Sequence, residues 1–145
     1  MTRKPRSGYE IAKARTTKAL RELVATSGKA EYRLHCAIVE LLRTAHLPGV
    51  VFFHVENERK RDHKQQAAFK AMGGLAGVSD LVLAIPGGRI CFMEVKAATD
   101  LSEAQEAFLA GMEAHGHRTA VVRSLDEAAF ILAAWGAIRG ATVAA

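Results

Sequence analysis

Two β-prone runs separated by a Pro86-Gly87-Gly88 turn constrain this chain more than any other feature. The first reads Gly77-Val78-Ser79-Asp80-Leu81-Val82-Leu83-Ala84-Ile85. The second reads Ile90-Cys91-Phe92-Met93-Glu94-Val95-Lys96. Pro-Gly-Gly is turn chemistry, so the runs predict a hairpin. Side chains on a strand alternate faces, which places Glu94 and Lys96 on one face and Met93 and Val95 on the other. Folding the second run back on the first brings Asp80 opposite the Glu94–Lys96 region, to within about one residue of register. Two carboxylates and one ammonium then converge at a sheet edge. That set suits a hard divalent cation, which prefers oxygen ligands, beside a lysine. The plainer alternative is a solvated same-face ion pair at Glu94 and Lys96, with Asp80 as an ordinary turn residue.

Around the hairpin the pattern predicts an α/β domain. A helix is expected from Ala30 to Ala45, with Leu34, Ala37, Ile38, Leu41, Leu42 and Ala45 as its buried stripe. Glu31 lies on the same stripe and should point toward the sheet, unless it only serves the helix dipole. Leu47-Pro48-Gly49 ends that helix. Val50 to Val55 follows as a strand whose unbroken apolar run predicts burial on both faces. Asn57 to Gly74 reads as a long loop or a partly helical excursion. Ser102 is the expected N-cap of a further helix, with Ala104, Phe108 and Met112 inward and Gln105 on the side of Phe108; Gly116 closes it. Arg118 to Arg123 is a strand and Leu125 to Trp135 a last helix. The tail from Gly136 is expected to fray. Residues 1–29 form a basic arm, 30–136 the domain and 137–145 a short tail.

Several of these strings, in this order, resemble the VRR-NUC family of the PD-(D/E)xK nuclease superfamily. They are His54-Val55-Glu56-Asn57-Glu58, Gly73-Gly74, Gly77-Val78-Ser79-Asp80, Glu94-Val95-Lys96 and Leu101-Ser102-Glu103-Ala104-Gln105, followed by His115-Gly116-His117 and Val121-Val122. The similarity runs over residues 30–130. One departure is Ser79, where the family usually has Pro; it loses a rigid φ but no ligand. The resemblance implies a restriction-endonuclease-like core, a mixed sheet of four strands flanked by helices. It implies Mg²⁺ or Mn²⁺ held by Asp80, Glu94, the backbone carbonyl of Val95 and Glu31. Asp80, Glu94, Lys96 and Gln105 are the implied catalytic group. Such a cation polarises a phosphoryl oxygen and acidifies a bound water, while Lys96 orients that water and stabilises developing charge. Small stand-alone members look like structure-specific nucleases acting on branched or four-way junction DNA, sometimes as homodimers.

Charge agrees with a polyanionic partner. The 145-residue chain carries a formal net charge of +5 and has a pI near 9.5. Asn57, Arg59, Lys60, Arg61 and Lys64 are the expected phosphate contacts, the alternative being a solvated charged face. Cys36 and Cys91 lack Cys-x-x-Cys spacing and read as buried thiols of a reducing, intracellular protein. The histidines lack zinc-site spacing, although His54 and His63 are candidates for a place near a scissile phosphate. No Walker loop, serine nucleophile elbow or membrane span is expected. Two further classes remain open: a non-catalytic nucleic-acid-binding module on the same fold, and a basic α/β interaction protein.

Overall fold

The computed structural model describes residues 29–56 and 60–140. Its elements run α1 (Ala30–Ala45), β1 (Val51–His54), α2 (His63–Ala71), β2 (Leu81–Ile85), β3 (Arg89–Val95), α3 (Glu103–Ala114), β4 (Arg118–Val122) and α4 (Leu125–Trp135). The strands form one mixed sheet in the order β1-β2-β3-β4. β1 and β2 are antiparallel, as are β2 and β3, while β3 and β4 are parallel with α3 as the crossover. This is the expected α/β architecture, consistent with a restriction-endonuclease-like core.

The hairpin forms on the expected residues. Leu81 pairs with Met93 and Ile85 with Arg89, so Pro86, Gly87 and Gly88 make the turn. Gly87 and Gly88 both have positive φ, +97° and +81°, which glycine alone enters without strain. Leu81, Leu83, Cys91, Met93 and Val95 from the hairpin pack with Leu34, Ile38 and Leu42 of α1 and Ala128, Ala129, Leu132 and Trp135 of α4. Burying a leucine such as Leu42 or Leu132 contributes about 1.5–3 kcal/mol, so this layer is the main source of stability. On the opposite face, α3 lies over β3 and β4. There Phe108 meets Phe92 edge-to-face at 5.3 Å.

Three expectations are corrected. β1 is not buried on both faces: Val51 is 60% and Phe53 52% exposed. It is an edge strand, and α3 covers the sheet at β3 and β4 only, so an apolar run here does not mean two covered faces. On α3 the buried residue is Leu109, whereas Ala104 is exposed. The frayed tail fails for residues 136–140. Ala137 and Ile138 are fully buried, the Leu47 amide donates to the Ala137 carbonyl at 2.9 Å, and Ile138 bridges to His46. The core therefore runs past residue 136. The basic arm over 1–28 lies outside the described residues. Of the two cysteines, Cys91 is buried and Cys36 half-buried, and both are free.

Candidate active site

Asp80 ends the loop that enters β2, one residue before the ladder begins, and continuing the Leu81–Met93 register sets it opposite Glu94. Its Oδ2 accepts a hydrogen bond from the Val95 amide at 2.8 Å. Its backbone carbonyl accepts from the Val55 amide at 3.0 Å and from His54 Nδ1 at 2.9 Å. A carbonyl can only accept, so Nδ1 of His54 carries a proton, and in the neutral ring Nε2 keeps a free lone pair. Asp80 is thereby fixed by both of its neighbouring strands.

Glu94 is 1% and Lys96 7% exposed, although both are charged residue types. Glu94 Oε1 accepts from Gln105 Nε2 at 2.8 Å. Among the described residues its buried Oε2 has no hydrogen-bond partner. Burial first, and then the neighbouring Asp80 charge, push the Glu94 carboxyl from 4.5 up to about 8, against the opposing pull of Lys96. Two carboxyls and a lysine thus share one buried spot, and the solvated ion-pair alternative does not describe it. Ser79, just before Asp80, is also fully buried, with its hydroxyl unpartnered.

Beside this group lies a cleft of about 170 Å³ lined by Glu31, Tyr32, His35, His54, Asp80 and Val95. Glu31 does face the sheet side, as its place on the α1 stripe predicts. His35 joins the cleft without being among the residues the sequence singles out. It meets His54 edge-to-face at 4.7 Å, and burial pushes its ring below the usual histidine range. The available signal is its spacing, four residues after Glu31 on the same helix face.

Gln105 is at the third position of α3 and closes a capping box. The Ser102 hydroxyl accepts from the Gln105 amide at 3.2 Å, and Gln105 Oε1 accepts from the Ser102 amide at 2.9 Å. Gln105 therefore touches Glu94, not the open cleft. Among the described residues, no group of three or more His, Cys, Asp or Glu side chains is arranged to hold a metal ion. The carboxyl oxygens gathered here are those of Asp80 and Glu94, a sparse, all-oxygen pair. Mg²⁺-type ions bind in this way, keeping several waters and taking only one or two carboxylates.

Of the expected phosphate contacts, Asn57 and Arg59 lie outside the described residues. Lys60 and Lys64 are exposed, and Arg61 stacks over the Phe69 ring at 4.0 Å. α2 has no buried residue. It is held by an Asp62–Gln65 capping box and by Phe69, which packs on Gly74 so closely that a Cβ there would fall 2.4 Å from the ring. An open cleft of about 590 Å³ runs along it, lined by Arg61, Asp62, His63, Gln66, Ala67 and Lys70. The excursion leaves the sheet at His54 and returns at Asp80, both of which line the smaller cleft.

Among the described residues no helix is long and apolar enough to cross a membrane. No curated protein and no solved structure matches the chain. The model of the VRR-NUC domain, a nuclease-type domain, matches residues 15–126. That span takes in every residue of the carboxylate–lysine group and the helix start that touches it, and the chain belongs to the VRR-NUC family.

Proposed function

We propose that this protein is a divalent-metal-dependent DNA endonuclease that hydrolyses phosphodiester bonds, acting on branched or junction DNA as a homodimer. The observation that carries the reading is Glu94. A carboxyl group 1% exposed, with one oxygen unpartnered and its pKa raised to about 8, is costly unless a cation completes it. Asp80, Glu94 and the Val95 carbonyl would hold Mg²⁺ or Mn²⁺, with Glu31 across the cleft as a further or water-mediated ligand. When bound, that ion supplies charge stabilisation for the phosphoryl group and a more acidic water.

The chain's own residues do the rest. The Val95 amide and the paired strands hold Asp80 in place before substrate arrives. Gln105 holds one oxygen of Glu94. Lys96, one residue past β3 with its amide on the Val122 carbonyl at 3.0 Å and little exposed, orients the attacking water and offsets charge that builds on the phosphate. Lys60, Lys64 and Lys70 present cations to the phosphate backbone, which positions DNA without reading its sequence. Two active sites facing opposed strands would serve a junction substrate, which is the reason for the dimer in this reading.

A panel of linear, flap, splayed and four-way DNA with Mg²⁺ or Mn²⁺ tests it. Cleavage should appear with either ion and vanish in excess EDTA, with branched substrates cut faster than linear duplex. Undiminished cleavage in EDTA would overturn metal dependence. Binding without cleavage under every condition would identify a non-catalytic nucleic-acid-binding module instead.

A further inference from the structure

Among the described residues two capping boxes, at the starts of α2 and α3, are built alike, and of these the α3 box touches a buried carboxyl. In α2 the Gln65 side chain accepts from the Asp62 amide at 3.1 Å and is exposed. In α3 the Gln105 side chain accepts from the Ser102 amide through Oε1 and donates to Glu94 through Nε2. A capping box takes Glu or Gln equally well at this position. In the α3 box Gln105 does both jobs, accepting from the Ser102 amide and donating an N–H to Glu94 Oε1, and a glutamate there has no N–H to donate. The same turn is also seated from outside. Gly77 has φ +82°, and a Cβ on it would fall 2.4 Å from the Ala104 carbonyl and 2.7 Å from the Gln105 amide nitrogen. The loop that carries Asp80 thus rests backbone-to-backbone on the turn that carries Gln105.

We propose that Ser102 and Gly77 are positioning residues of the active site: they lock the Gln105 amide onto one oxygen of Glu94, leaving the other oxygen aimed for a cation. Ser102 fixes the first turn of α3 and orients the amide. Gly77 sets the distance between that turn and the entry to β2. The amide's acceptor and donor ends are both used, so its rotation is settled before any ion binds. The cation half rests on the proposed reading of Glu94 as a ligand.

The test uses the full chain without metal. The Gln105 side-chain NH₂ signal in ¹⁵N NMR, identified by its loss in Gln105→Leu, should exchange with water more slowly than that of Gln65. Ser102→Ala and Gly77→Ala should each release it, Ser102→Thr should keep it, and Gln65→Glu should leave it untouched. Calorimetry should show Ser102→Ala binding Mn²⁺ about 3- to 10-fold more weakly, the equivalent of one hydrogen bond, with Ser102→Thr restored. A Gln105 amide that exchanges as fast as Gln65 in the wild type, or that is unmoved by Ser102→Ala, overturns the proposal. Protection that Ser102→Ala releases, with no Mn²⁺ binding by the wild type, supports the positioning and overturns the cation reading beneath it.

Discussion

Glu94 has two oxygens in opposite circumstances, one held by Gln105 and one buried without a partner. The pair defines what Lys96 can do. Lys96 lies two residues on, is 7% exposed, and its charge pulls the Glu94 carboxyl back toward ionisation. A lysine taken this far from water needs a negative partner, and the carboxyl it acts on here is Glu94. Lys96→Ala should keep the fold by circular dichroism, because the alanine leaves the strand ladder intact. Its cleavage rate in single turnover should fall by about 10²-fold or more, as when one positioned electrostatic stabiliser is removed. A variant that cleaves near the wild-type rate would return Lys96 to the role of a plain ion-pair partner.

Elements with strong local signals are legible in the sequence, and those decided by tertiary cover are not. α1 and α4 span the residues the sequence predicts, and the hairpin follows its Pro-Gly-Gly turn. Asp80 and Glu94 can be paired because register follows from a short turn. β1 misleads because its apolar residues lie at an edge, which composition does not reveal. His35 escapes because its sequence signal, the four-residue spacing from Glu31, becomes part of a site only when β1 brings His54 against it. Ile138 escapes because its cover comes from the end of α1, distant in sequence. α2 is the element whose stability and purpose separate most clearly. With no buried residue and nine positions, it is too short to hold alone, and its capping box and the Arg61–Phe69 stack maintain it. Its lysines Lys64 and Lys70 are exposed, as the proposed phosphate contacts require. Changing Lys60, Lys64 and Lys70 together to Ala, with Arg61 left to stack, should weaken binding to unrelated duplexes alike. The plot of log affinity against log salt should flatten by up to about 0.9 for each phosphate that the variant no longer neutralises, while slow cleavage at saturating protein persists. An unchanged slope would place the DNA track elsewhere on the molecule.

At the scale of the whole molecule, the sheet binds its own carboxyl pair at a cost that pH exposes. Folding raises the Glu94 carboxyl from 4.5 to about 8, so between those values the folded chain keeps a proton that the unfolded chain has lost. The sign follows from linkage: where the folded state binds more protons, stability falls as pH rises. The contribution of Glu94 is thus full below pH 4.5, declines as pH rises through the neutral range, and levels off above pH 8. A divalent cation held as proposed would reverse the trend, since it would take the place of the proton and bind the ionised carboxylate better as pH rises. Thermal unfolding of the full chain, with EDTA and with Mn²⁺, at pH 6 and pH 8 measures both effects. In EDTA the Tm should be lower at pH 8 than at pH 6, and Glu94→Gln should remove much of that difference, because the amide has no proton to lose. The Tm gain from Mn²⁺ should be larger at pH 8 than at pH 6. An equal gain at both values would mean that the ion binds without displacing a proton, and that Glu94 is not among its ligands.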